Sequence, residues 1–161
     1  RSSSVLFGDC ATAAVISTKH PSRCRIAHSS FGGAPAGALD VVIPRAGFFA
    51  QNGSKVQKFA IKRMAQLYRE CREAAGSERA NDTVYLGHQA NLTMLKSVAK
   101  RCDVPKDKHW FNIDMFGNVG AAGAPSVLSQ HWDGLSTGDA IGMVVVGSGL
   151  SWSSALIDVE N

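Results

Sequence analysis

With 161 residues and 17.1 kDa, the chain has the size of a single domain, and 45% apolar against 19% charged residues excludes a disordered polymer. No uninterrupted apolar run approaches the roughly 20 residues of a bilayer span, so no membrane partner is expected. A balance of 17 Lys+Arg to 13 Asp+Glu, net +4, is a mild basic excess that fits an acidic partner but does not imply nucleic acid.

Arg1 stands where a methionine would open a complete protein, and no signal or transit peptide precedes the first apolar stretch. One piece of a larger protein is expected, or a cleaved fragment. Val5 to Ser17, apolar and small around Gly8-Asp9, predicts a strand, a tight turn and a second strand. Residues 18 to 50 carry Pro21, Gly32-Gly33, Pro35, Gly37, Pro44 and Gly47, which predicts loop with one short strand. Ser54-Lys55-Val56-Gln57 fits a capping box, and Val56, Phe59, Ala60, Met64, Leu67 and Cys71 recur at helical spacing until Gly76. Lys55, Lys58, Lys62 and Arg69 form a stripe on the other face, which projects into solvent or toward an anionic ligand.

Thr83 to Leu86 reads as a buried strand leading into Gly87-His88-Gln89-Ala90-Asn91, then a helix with Leu92, Leu95, Val98 and Cys102 on one face. Trp110 to Ile113 predicts a strand, Asp114 to Asn118 a turn, and Val119 to about His131 a close-packed Gly/Ala-rich helix distorted by Pro125. Ala140 to Val146 and Leu150 to Val159 are two apolar strands joined at Gly147-Ser148-Gly149, a hairpin at the closing edge of a sheet. This alternation argues an α/β fold with a mixed sheet and helices on both faces, one domain over 1–161.

Chemistry in such folds is presented from turns between a strand and a helix. Two polar turns of that kind stand out, at His88 and at Asn118, and both are placed to face one pocket. Cys10 lies in a strand turn, away from the helix N-terminus or base that would activate a thiolate. His20, Cys24 and His28 are spaced four apart, but Pro21 argues against the helix that would make them a metal face; no metal is expected. The four cysteines, Cys10, Cys24, Cys71 and Cys102, form no CxxC pair and read as reduced thiols of a cytoplasmic protein.

Gly87-His88-Gln89-Ala90-Asn91 and Asp114-Met115-Phe116-Gly117-Asn118 resemble the HQAN and YGN motifs of the ketoacyl-ACP synthase III family, in order and in spacing. Val146-Gly147-Ser148-Gly149-Leu150-Ser151-Trp152 resembles that family's FGxGLTWG hairpin, and Leu6-Phe7-Gly8-Asp9 its LFGDG turn. The resemblance covers nearly all of the chain and the second half of the family's usual length. It implies a thiolase-like fold of two α/β halves, of which this chain is the C-terminal one. The family's nucleophilic cysteine sits in the other half. By resemblance the chain is half of an acyltransferase, performing decarboxylative Claisen condensation or acyl transfer from acyl-CoA or acyl-ACP in fatty-acid, polyketide or secondary-metabolite biosynthesis. It is active only with the N-terminal half, in a homodimer of the complete protein.

The resemblance assigns His88 and Asn118 as N–H donors to the enolate, the backbone N–H of Ser148 to a second oxyanion hole, Asn91 to the pantetheine arm, and Lys58 to the tunnel mouth. CoA or phosphopantetheine thioesters enter as substrates, and no cofactor is expected. Thr93, Val119, Ser148 and Cys10 depart from the family pattern and suggest a specialised relative. A non-catalytic scaffold subunit and a free-standing binder of CoA thioesters are the rival readings.

Overall fold

The computed structural model describes residues 4–160. Its centre is a five-stranded mixed sheet built from β1 (Cys24–Gly33), β4 (Val84–Gly87), β5 (His109–Trp110), β6 (Ala140–Gly147) and β7 (Ser151–Val159), in the order β1-β7-β6-β4-β5. β4 runs parallel to both β5 and β6, and β7 runs antiparallel to β6 and β1. A separate two-stranded ribbon joins β2 (Val41–Val42) to β3 (Ala50–Gln51).

Successive strand residues point to opposite faces, and the core divides accordingly. Tyr85, Val144 and Leu156 meet α1 (Gly53–Ala75) and α2 (Leu92–Arg101) on one face. On the other, Val84, Leu86, Ile141 and Ile157 meet Ala124 and Val127 of α4 (Gly123–His131). Helices on both faces of a mixed sheet are the layering expected from the alternation of elements. No helix among the described residues is long and apolar enough to cross a membrane.

α1 is held by what it buries. Met64, Leu67, Tyr68 and Cys71 are inaccessible, and full burial of such a side chain contributes about 1.5–3 kcal/mol, more than helix propensity supplies. The expected capping box does not form. Asn52 is the N-cap residue, without a side-chain bond, and Ser54 lies inside the first turn. Asp40 anchors that turn instead: its carbonyl accepts the Asn52 N–H at 2.8 Å and its carboxylate meets Lys55 Nζ at 2.7 Å. α1 ends where expected, at Gly76 with φ of 85°.

Five expectations are corrected. Val5 to Ser17 holds no strand pair: a 3-10 turn at Ser4–Leu6 is followed by one isolated bridge, Phe7 to Asn118. Residues 8–17 join no ladder, and Val15 and Ile16 stay 94% and 79% exposed. Local apolar pattern makes a strand only when a partner strand accepts it. Conversely, the expected loop at 18–50 contains the ten-residue β1. Its Gly32 is not a breaker: the Trp152 indole packs 2.7 Å from where a Cβ would stand. The hairpin β6–β7 is not at the sheet edge, since β1 covers β7 and β4 covers β6. Pro125 does not distort α4. It falls in the first turn, where a backbone N–H has no intrahelical acceptor to lose. Finally, the predicted strand at Trp110 to Ile113 stops at Trp110, and Ile113–Phe116 forms the single helical turn α3.

Trp152 also packs against α1, with the Phe59 ring at 5.8 Å and the Arg63 guanidinium 3.9 Å above its indole. This contact ties the start of β7 to the first half of α1. Farther along, Gly142 leaves room for Tyr68 and Cys71, so α1 runs antiparallel to β6.

Candidate active site

Because β5, β4 and β6 are parallel, with Leu86 opposite Trp110 and Gly87 opposite Val144, their C-terminal ends share one sheet edge. This is the edge where open α/β sheets bind ligands. From it the chain leaves β4 into His88, β5 into the segment that carries Asn118, and β6 into Ser148. Lys58, near the start of antiparallel α1, lies exposed at the same end.

Asn118 is fixed on both sides of its backbone. Its N–H donates to the Leu6 carbonyl at 2.9 Å, and its carbonyl accepts the Gly8 N–H at 3.1 Å. The Leu6-Phe7-Gly8 motif and the Phe116-Gly117-Asn118 motif, read separately in the sequence, are therefore hydrogen-bonded partners. Two glycines allow the approach: Gly117 has φ of 68°, and a Cβ on Gly8 would overlap the Phe116 carbonyl oxygen. The Asn118 side chain is oriented too. Its Oδ1 accepts the Gly120 N–H at 2.9 Å, which identifies the oxygen of the carboxamide and leaves Nδ2–H as the group to present.

His88 is half-buried. Its backbone N–H donates to Val144 O at 2.8 Å, across to β6, and its carbonyl accepts the Ala90 N–H at 2.9 Å. Burial pushes its pKa below the usual histidine value, so the imidazole is neutral at physiological pH, with one N–H to donate.

Between them lies Gln89, fully buried. The loop that holds Asn118 starts and ends against it: Asn112 N–H donates to Gln89 Oε1 at 3.2 Å, and Gly123 packs where its Cβ would be 2.8 Å from Gln89 Cβ. Gln89, the residue after His88, thus contacts both ends of the segment that carries Asn118. Gln89 and Asn112 were not singled out from sequence. The sequence signal of Gln89 is its place inside the His88-Gln89-Ala90-Asn91 motif, where it has no assigned role; that of Asn112 is a carboxamide between Phe111 and Ile113.

Ser148 is exposed, and the positive φ of the hairpin, 124°, falls on Gly149 rather than on it. Its carbonyl accepts the Ser151 hydroxyl at 3.0 Å. Asn91 is exposed and caps α2, its Oδ1 accepting the Met94 N–H at 3.1 Å. Of the basic stripe on α1, Lys55 pairs with Asp40 and Arg69 donates to the Arg101 carbonyl, while Lys58 and Lys62 face solvent. No group of three potential metal ligands occurs among the described residues. Cys24 and His28 are residues of β1, and the cysteines are free thiols.

A cavity of about 430 Å³ lined by Arg69, Arg72, Glu73, Ser77 and Ala80 lies toward the C-terminal end of α1, away from the His88 edge. Its cations are spent on the fold: Arg72 donates to the carbonyls of Ala80 and Cys102 at 2.6 and 2.8 Å. It has no group suited to acyl chemistry.

Residues 73–159 match the family model described as 3-Oxoacyl-[acyl-carrier-protein (ACP)] synthase III C terminal. Among curated relatives, the chain is 30% identical to Beta-ketoacyl-[acyl-carrier-protein] synthase III of Aquifex aeolicus, over 98% of this chain and 51% of that relative. It is 32% identical to the protein of that name from Syntrophomonas wolfei, over 98% and 52% respectively. The chain therefore spans about half the length of these relatives. Among solved structures, the synthase III of Thermus thermophilus superposes with a TM-score of 0.81 at 25% identity, covering 98% of this chain and 53% of that one. The Aquifex aeolicus enzyme gives 0.78 at 26% identity, covering 88% and 46%. The neighbours confirm a thiolase-like α/β half, and the chain belongs to the family of 3-oxoacyl-[acyl-carrier-protein] synthase III C-terminal domains.

Proposed function

We propose that this chain is the enolate-stabilising half of a condensing acyltransferase, with His88 and Asn118 as its paired donors. The observation that carries the reading is the orientation of Asn118: its oxygen is bound by Gly120 N–H, so the face it offers is N–H.

The chemistry that suits two neutral donors is decarboxylation of a malonyl thioester. The bond from the α-carbon to the carboxylate breaks, carbon dioxide leaves, and the electron pair flows onto the thioester oxygen as an enolate. Fixed N–H groups in a water-poor site stabilise that charge without reorganising. Asn118 cannot titrate, and the depressed pKa of His88 keeps it a neutral donor across the working range. The enolate carbon then attacks an acyl group carried on a cysteine of the N-terminal half, and as the tetrahedral intermediate collapses the acyl C–S bond breaks and the cysteine leaves as thiolate. In this reading Ser148 N–H serves the tetrahedral intermediate of acyl transfer, Asn91 binds the pantetheine arm through the amide nitrogen that its capping role leaves over, and exposed Lys58 meets phosphate or carrier protein. The complete protein is a cytoplasmic homodimer that takes acyl-CoA or acyl carrier protein, in fatty-acid or polyketide-type biosynthesis.

In the complete protein, His88→Ala and Asn118→Ala are each expected to lower malonyl-thioester decarboxylation by about 10²–10³-fold, while loading of the acyl donor onto the cysteine changes little. Radiolabelled carbon dioxide release and mass spectrometry of the acyl-enzyme measure the two steps. Rates within threefold of the parent for both variants would overturn the proposal and leave a non-catalytic subunit.

A further inference from the structure

The paired donors are useful only at a fixed separation, and neither His88 nor Asn118 sets it. Gln89 is the side chain placed to do so. It is fully buried, yet it is a carboxamide where a leucine or methionine would fill the same space. Both of its ends are used. Nε2–H donates to the Gly87 carbonyl at 2.7 Å, the oxygen of the very peptide group that leads into His88, and Oε1 accepts the Asn112 N–H at 3.2 Å.

Asn112 carries the connection onward. It is buried as well, and its Nδ2 donates to Ser126 Oγ at 3.1 Å and to Gln130 Oε1 at 3.0 Å, both on α4. Its Oδ1 is buried without a partner, a cost that an apolar residue of equal volume would not carry. One run of hydrogen bonds therefore passes from the peptide before His88, through Gln89, to the base of the Asn118 loop and into α4. Gly123 closes the far end of that loop by leaving room for the Gln89 stem.

We propose that Gln89, braced by Asn112, is the positioning residue that fixes the distance between His88 and Asn118. The inference rests on the enolate-donor reading given above. A displacement of about 1 Å is enough to cost about 10²-fold in rate, so a side chain bonded to the peptide before His88 and to the start of the Asn118 segment controls catalysis without touching substrate.

Replacement by glutamate tests this directly. Protonated, a carboxyl keeps the pattern of the amide: its O–H donates to Gly87 O and its carbonyl accepts from Asn112 N–H. Ionised, it has no donor and sets a charge against the Gly87 oxygen. Asn112, Gly123 and Val119, which neighbour the site, carry no charge, and burial lifts the pKa of the carboxyl. His88 is the adjacent titrating side chain; an ionised carboxylate at residue 89 raises its pKa in the variant alone, so a pH-dependent ratio of the two rates reports the ionisation of residue 89 together with its effect on that imidazole.

In the complete protein, Gln89→Glu is expected to decarboxylate malonyl thioester near the parent rate at low pH and to lose activity reversibly as the pH rises through the carboxyl's range. Gln89→Met is expected to lose about tenfold or more in kcat at every pH, with KM for the thioester within about twofold. A variant-to-parent ratio for Gln89→Glu that is flat with pH, whether high or low, overturns the inference even if Gln89→Met fails to fold. If His88→Ala and Asn118→Ala are themselves silent, the donor reading fails; if they abolish turnover while the Gln89 variants keep it, only the positioning role fails.

Discussion

The Asn118 carboxamide is oriented by a backbone it does not belong to, because Gly120 N–H claims its oxygen while Leu6 and Gly8 hold its main chain. Gly8 is therefore the residue whose substitution discriminates most sharply. A Cβ there would overlap the Phe116 carbonyl oxygen, which is backbone and cannot swing aside. Gly8→Ala is expected to destabilise by about 1–3 kcal/mol and to lower turnover of the complete protein beyond what the melting shift accounts for. Gly134→Ala, where the added carbon meets nothing within 4 Å, serves as the control and should be silent in both thermal melting and kinetics. His88 and Asn118 were legible from sequence because each sits in a short polar turn between a strand and a helix. Gln89 and Asn112 were not, since the worth of a buried carboxamide depends on partners 14 to 23 positions away in the chain, which no local pattern displays.

Among the secondary-structure elements, β5 is the shortest strand beside the site and carries an unusual side chain. His109 stacks between Tyr85 and Phe111 at 5.1 and 4.9 Å, with its Nε2 buried and unbonded. Burial, helped by the charge of Lys96, lowers its pKa to about 4. The folded chain thus keeps this ring neutral at a pH where the unfolded chain protonates it. Stability is full above about pH 6.5 and falls as the pH drops toward 4, below which both states bind the proton and the loss levels off. The loss is at most about 3 kcal/mol and less for the part of the ring that reaches solvent. Urea melts between pH 7 and 4 should show this slope, and His109→Phe should reduce it, leaving the smaller part that His88 and His131, also lowered by burial, contribute. Elements with strong periodicity or a continuous apolar run, such as α1, α2, β4, β6 and β7, were legible in the sequence. β1 was not, because its Ser, His and Gly residues suit a strand only once Trp152 packs over Gly32.

For the molecule as a whole, helices pack on both faces of the sheet but leave β1 open to solvent, and Val5, Val15, Phe31, Leu39 and Phe48 remain more than 80% exposed. Apolar side chains in such number on one small chain favour association. The chain produced alone is expected to bind a hydrophobic dye and to scatter light at micromolar concentration. Val15→Lys with Ile16→Lys should reduce both signals while shifting stability by no more than about 0.5 kcal/mol, since neither residue packs on the core; unchanged scattering would place the sticky surface elsewhere. The second strand expected within Val5 to Ser17 did not form because its apolar residues have no sheet within the described residues to join. Trp152 offers a last consequence. Its indole is wedged over Gly32 and under the Arg63 guanidinium, just past the turn that holds Ser148, whereas Trp110 and Trp132 lie in other parts of the chain. With those two replaced by phenylalanine, the remaining emission becomes an optical gauge of the hairpin, since any shift of the turn alters the spacing between the indole and the cation above it.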